Sequence, residues 1–215
     1  MYINNFKTKL MKKFILITAL FFGILSYSSA QLEHDILKGS TLVLSEGLIL
    51  VYGVDYNGSL YDFIVTIKSL KDGAVEFDYE MTNASGTKGN VKITANALKD
   101  ATVHYNYFSG GPLELNDMTT VWMSKKVFDD LTGVKGRTKV SNDGGKSETE
   151  IIAKRVGYDY SLFNAISNTT FNDLTYFYAE SEDASVKYWV HFNEYSPIIL
   201  KMDLGWKIWL KEMKR

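Results

Sequence analysis

Residues 74–81 read AVEFDYEM, and this stretch narrows the possible folds more than any other in the chain. Val75, Phe77, Tyr79 and Met81 occupy alternate positions, with Glu76, Asp78 and Glu80 between them. Successive side chains of a β-strand point to opposite faces, so this contrast at period two means one face against a core and one in water. Turn residues bracket the stretch: Lys71-Asp72-Gly73 before it, Ser85-Gly86 and Lys88-Gly89 after it. Upstream, Asn57-Gly58 separates two apolar runs, Leu48–Tyr56 and Leu60–Ile67. Asn-Gly is the strongest short hairpin signal, because both residues tolerate positive φ. With Asn90–Ala95 these segments predict an antiparallel meander.

The pattern continues with interruptions. Thr41–Ser45 predicts a first short strand. Residues 97–108, ALKDATVHYNYF, predict a helix giving way to a strand, and Ser109-Gly110-Gly111-Pro112 a turn. Thr119–Met123 predicts another strand. Ser124 is placed to cap a short helix over KKVFDDLTG, whose Val127, Phe128 and Leu131 share a face and which ends at Gly133. Arg137–Val140 and Ser147–Arg155 flank a segment of turn residues, Ser141 to Lys146. Tyr158–Asn172 holds apolar and turn residues in no clear period. Leu174–Glu180 is aromatic-rich, and Ser185–Phe192 alternates, with Val186, Tyr188, Val190 and Phe192 together. Pro197 belongs at a strand start or edge, since it has no N–H for a ladder. Ile198–Met202 and Trp206–Leu210 predict a closing pair around Asp203-Leu204-Gly205. The fold class is mainly β: a single antiparallel β-barrel or a β-sandwich of about eight to ten strands with one or two short helices. Long helices between strands are missing, which argues against a doubly wound parallel sheet.

The N-terminal segment says where such a domain would work. Lys12 and Lys13 lead into an apolar run from Phe14 to Leu25, followed by Ser26, Tyr27, Ser28, Ser29 and Ala30. A positive flank, a short apolar stretch and a small-residue end make a secretory signal peptide. The run is shorter than the about 20 residues of a membrane-spanning helix. The expected organisation is therefore an N-terminal extension and signal peptide over residues 1–30, with Met11 as the start and cleavage after Ala30, then one β-rich domain over residues 31–215. The product is expected to be exported, periplasmic or extracellular, with no stable membrane span. It should also lack a lipid anchor, because the chain has no cysteine to carry one. The same lack excludes thiol nucleophiles, redox dithiols and cysteine-held metal sites.

The formal charge of −1 becomes more negative on processing, since Lys7, Lys9, Lys12 and Lys13 leave and no acid does. Arginine occurs only at 137, 155 and 215, and lysines form no block. Phosphate-backbone binding needs clustered cations, so nucleic acid is not an expected partner. The expected partner is a small ligand, a glycan or an envelope protein.

No motif announces catalysis. His34, His104 and His191 have no second histidine at ligand spacing, so no metal site and no cofactor are expected. Neither G-x-S-x-G nor a P-loop occurs. Glu76, Asp78 and Glu80 lie about 6.5–7 Å apart along one strand face, near the spacing of glycosidase carboxylates, but a wet strand face gives the same pattern. Asp55, Asp62 and Asp117 are isolated acids. Asn142-Asp143-Gly144-Gly145 resembles a calcium loop only in composition and reads as a hairpin turn. The aromatic content carries the functional weight. Tyr105 and Tyr107 precede a glycine turn, Tyr176 and Tyr178 flank Phe177, and Trp189 and Trp209 fall opposite their strands' apolar rows. These six are the candidate ligand-binding residues, with rings able to stack on a ligand or line a pocket. The expected function is a non-catalytic binding or accessory module of the bacterial cell envelope. The alternatives are a carboxylate-dependent hydrolase of extracellular polymers and a structural protein-interaction domain.

Overall fold

The computed structural model describes residues 44–83, 85–157 and 175–214. The elements run β1 (Ile49–Tyr56), β2 (Ser59–Ser69), β3 (Val75–Met81), β4 (Lys88–Ile93), α1 (Ala95–Asp100), β5 (Val103–His104), β6 (Gly111–Leu115) and β7 (Met118–Thr119). Then come α2 (Lys125–Thr132), β8 (Arg137–Val140), β9 (Thr149–Gly157), β10 (Tyr176–Ser181), β11 (Lys187–His191), β12 (Ile199–Asp203) and β13 (Lys207–Lys214). The protein is mainly β.

Local chemistry explains most boundaries. Asn57 and Gly58 both take positive φ, 53° and 81°, as a tight hairpin turn requires, and Asp72-Gly73 repeats the device at 55° and 72°. Ser124 caps α2: its Oγ accepts from the Val127 N–H at 3.2 Å and donates to the Ala101 carbonyl at 2.5 Å. Val127, Phe128 and Leu131 are buried on one side of that helix. Thr94 caps α1 in the same way, through the Ala97 N–H at 3.3 Å.

Eleven strands form one sheet in the order β6-β4-β3-β2-β1-β13-β12-β11-β10-β9-β8. The order describes two meanders joined back to back. One runs outward from β1, the other outward from β13, and the first and last strands meet in the middle. Their register pairs Val54 with Ile208, Gly53 with Trp209 and Tyr52 with Leu210. Two neighbouring cross-strand rows define the two faces. Ala179, Tyr188, Met202, Ile208, Val54 and Tyr61 run along the inner face. Tyr178, Trp189, Lys201, Trp209, Gly53 and Asp62 run along the outer one.

Of the two expected shapes the β-sandwich-like class fits broadly, and the details need correction. The sheet is not closed into a barrel, and its edges are β6 and β8. Between them stands the small β5–β7 ladder: Val103 bridges Ser141 just past β8, and β7 follows β6 through Asn116-Asp117. The strands exceed the expected eight to ten, because β5, β6 and β7 are too short to show a period. The β4–β6 pair is parallel, with α1 in its crossover; Gly111 and Pro112 begin β6 rather than a turn. Pro112 is tolerated because β6 is an edge strand. Thr119–Met123 is not a full strand. It leaves the β5–β7 ladder at Thr119 and turns at Val121, where the Trp122 N–H donates to the Thr120 carbonyl at 2.6 Å. Leu44 and Ser45 form no strand, and residues 41–43 and 158–172 lie outside the described residues. Among the described residues, no helix is long and apolar enough to cross a membrane.

The interior divides into two clusters. One gathers Leu50, Tyr52, Phe63, Val65, Phe77, Val91 and Trp122 over the β1–β4 meander. The other gathers Phe128, Leu131, Ile151, Phe177, Val190 and Met202 between α2 and the second meander. Trp206 and Ile208 touch both clusters.

Candidate functional site

Where the clusters meet, packing leaves a cavity of about 650 Å³. The inner faces of β1 and β2 supply Tyr52, Val54, Tyr61 and Phe63, while β12, β13 and the turn before β13 supply Ile199, Met202, Ile208 and Trp206. Across from them run the β5 region and the three-residue γ-turn at Val121, with His104, Asn106, Tyr107, Phe108, Thr120 and Val121, and then Asn142. Tyr56, Ser59, Tyr107 and Ser109 are exposed and form the rim. Tyr52, Val54, Phe63, Met202 and Ile199 are almost fully buried and form the floor.

The 105–110 segment is pinned by its aromatic rings. Phe108 packs against Phe63 and Tyr79, with ring centroids 4.7 and 4.9 Å apart. Gly110 N–H donates to the Tyr79 hydroxyl oxygen at 2.9 Å. Tyr105 meets Tyr107 and Phe108 edge-on at 6.1 and 5.9 Å, which props Tyr107 at the cavity mouth. His104 is fixed by its backbone, whose N–H reaches the Ser141 carbonyl at 2.7 Å. Val121 has φ of +63°. A β-branched residue there, with its γ-turn hydrogen bond, is strained by roughly 1–3 kcal/mol. The Val121 carbonyl accepts from the Ile199 N–H at 2.7 Å and so locks the turn to β12.

The polar groups are few and neutral. Among the described residues lining the cavity, none is Asp, Glu, Lys or Arg. Burial lowers the pKa of His104 to about 4, so its imidazole is neutral at pH 7. Burial raises that of Tyr52, which keeps its hydroxyl protonated. The Tyr52 hydroxyl is buried without a hydrogen-bond partner in the protein. Asn106 Nδ2 donates to the Asn142 carbonyl at 3.3 Å, and the Asn142 side-chain oxygen accepts from the Tyr188 hydroxyl.

Comparison of the chain with protein-family models, curated proteins and solved structures found no significant match.

The six candidate aromatics do not share one surface. Tyr107 lines the cavity and Tyr105 supports it from behind. Tyr176 is buried among the first cluster. Tyr178, Trp189 and Trp209 lie along the outer row, each half-buried. Tyr178 stacks on Trp189 at 4.8 Å, and Lys201 Nζ sits 4.5 Å from the Trp189 ring centre. Trp209 lies over Gly53.

The carboxylates considered from sequence stand outside the cavity. Glu80 pairs with Lys88 at 2.9 Å and Asp78 with Lys68 at 3.3 Å, while Asn90 reaches Glu76 and Asp78. Asp62 pairs with Lys211 at 2.7 Å, and Asp55 accepts from the Gly58 N–H in the hairpin. Asp117 is exposed between β6 and β7. Asp143 organises its turn, accepting from Ser141, Lys146 and Ser147. Among the described residues, no three of His, Asp and Glu gather to hold a metal ion.

Sequence reasoning passed over Tyr52, Tyr61, His104, Asn106 and Asn142 as site residues. One signal was available for the first two. Tyr52 and Tyr61 fall on the inward-facing register of a predicted hairpin, which brings hydroxyls to a face otherwise apolar.

Proposed function

We propose that this domain is a non-catalytic binding module that holds a small, largely apolar molecule between its two cores. The observation that carries the reading is the cavity of about 650 Å³, walled by aromatic and aliphatic side chains. Its size falls within the about 300–1,000 Å³ typical of small-molecule sites, and its lining has their usual makeup of an apolar wall and a few placed polar groups. A hydrolase acting with carboxylates is less well supported, because the nearby acids are engaged with lysines, amides and turn N–H groups on other surfaces. We also propose that the domain works outside the cytoplasm, on the strength of the Lys12–Ala30 segment.

Native mass spectrometry of protein isolated from its own host tests the first point. The expected result is a retained small-molecule mass that is lost in Val54→Phe, a substitution that fills the floor. An empty protein that also fails to take up N-phenyl-1-naphthylamine would sink the reading. Sequencing the N-terminus of the same material tests the second. A start at Gln31 supports export, and an intact Met1 or Met11 argues against it.

A further inference from the structure

We propose that the molecule held in this cavity is uncharged and carries a hydroxyl or carbonyl group on its apolar body, with Tyr52 as the residue that recognises that group. The inference rests on the binding role proposed above and adds the chemical class.

Two observations support it independently. The first is the charge pattern. The domain is rich in ion pairs, but they sit on the outer face of the sheet, Lys68–Asp78, Lys88–Glu80 and Lys211–Asp62, and on α2, Lys126–Asp130. None of their members lines the cavity. An anionic or cationic ligand buried there would lose its hydration and meet no counter-ion, and an unpaired charge in an apolar site is strongly disfavoured. The one basic group in the wall, His104, stays neutral until well below neutral pH. A carboxylate or phosphate therefore finds no cation in the floor.

The second is Tyr52. Tyr52 is 2% exposed and lines the floor, and its hydroxyl, shielded from solvent, has no partner in the protein, so a ligand group reaches it by a small shift of the floor. Nearly all buried polar groups in folded proteins are satisfied, so an orphan in the wall of a cavity marks where a partner arrives. A phenol donates one hydrogen bond and accepts others, which suits an alcohol, ketone, ester or amide. Tyr52 sits between Phe63 on β2 and Leu210 on β13 in the register, so its side chain stands in an apolar row of the sheet. That arrangement places one polar atom of the ligand deep inside, with its apolar body against Val54, Met202 and Ile208.

Competition against bound N-phenyl-1-naphthylamine separates the classes, using dodecan-1-ol, dodecanoate and dodecylamine, which share a chain and differ in charge. The purified protein is expected to prefer dodecan-1-ol over both ions by about tenfold or more. Tyr52→Phe is expected to melt no lower than the parent, since it removes an unsatisfied hydroxyl, but to lose most of the preference for the alcohol over dodecane, the same chain without the hydroxyl. Dodecanoate or dodecylamine competing as well as the alcohol overturns the inference and leaves the cavity's binding role standing. An unchanged preference in Tyr52→Phe removes Tyr52 from it. A reporter that never binds defeats the binding role itself.

Discussion

The seam between β1 and β13 holds the two meanders together, and Gly53 is its tightest point. A Cβ built on Gly53 would lie 2.6 and 2.7 Å from Cε2 and Cζ2 of Trp209 and 2.9 Å from Cδ of Lys211. Carbon atoms rest about 3.5–4.0 Å apart, so Gly53→Ala intrudes on the indole by roughly 1 Å. Lys211 is flexible and moves aside, although its Nζ is bonded to Asp62 at 2.7 Å. The indole is rigid, and it shares the outer row with Lys201. Turning it away costs about 1–3 kcal/mol, the range for overpacking. Against this stands a gain of roughly 0.5–1 kcal/mol from replacing a glycine in a strand.

The expected outcome of Gly53→Ala is therefore net destabilisation of about 1–2 kcal/mol, read as a lower urea midpoint at constant slope. At about 2–4 °C per kcal/mol for a chain of this size, Tm falls by several degrees. The sign should reverse in a Trp209→Ala background, where the methyl group meets only the flexible Lys211 side chain and the strand preference dominates. A double-mutant cycle isolates the pair, with a coupling of about 1–3 kcal/mol. If Gly53→Ala stabilises the parent, or the cycle shows no coupling, the indole does not lie where the argument needs it.

Three other perturbations have defined outcomes. Ser124→Ala removes both the cap of α2 and the donor to the Ala101 carbonyl, so a loss of about 1–2 kcal/mol is expected in thermal melts, and a neutral result contradicts the capping role. Val121→Gly loses a buried side chain but relieves positive-φ strain, so it should cost about 1–3 kcal/mol less than Val65→Gly in the same urea assay; equal losses mean the turn is not strained. His104 and His191 are buried, and burial lowers both to about 4. The unfolded chain binds more protons than the folded one between about pH 6.5 and 4, so stability falls as pH drops through that window, by up to on the order of 3 kcal/mol per histidine. Asp130, which hydrogen bonds from Lys126 and Lys135 hold at about 2, acts in the same direction only below about pH 4. Urea melts at pH 7.5, 5.5 and 4.5 check the sign, and His104→Gln should flatten the upper part of the curve.

What was legible in the sequence was local. Asn57-Gly58 and Asp72-Gly73 specify their turns by backbone chemistry alone, and Val75–Met81 shows its buried face without help from any neighbour. Ser124 and the Val127-Phe128-Leu131 stripe announce α2 for the same reason. The β4–β6 parallel pair was illegible because nothing in Gly111–Leu115 states which strand it will lie beside. Val121 was illegible because its side chain favours a strand, and only the clasp to Ile199 holds it at positive φ. Trp209 was legible as outward-facing, but its partner was not. That partner is a glycine from the opposite end of the domain, and a glycine has no side chain to signal a match.

The cavity shares that difficulty, and the topology supplies the reason. Its floor joins Val54 and Tyr52, from the first strand, to Ile208 and Met202, from the last two. Each residue considered within its own segment is simply one more inward-facing side chain of an alternating strand. The floor exists only once β13 has docked beside β1, which closes a loop spanning nearly the whole described domain. Such long-range pairing is slow to form, because the entropy of closing the loop is lost before the contacts are made. It also leaves β1 with an unpaired edge until the C-terminal strand arrives. Trp206 and Ile208 lie against both cores, so one late docking event seals the sheet and shapes the cavity wall. Binding at the cavity and stability of the seam are therefore two readings of the same contact. A ligand that fills the space between the cores ties the meanders together on the inner face, as Trp209 and Gly53 tie them on the outer one.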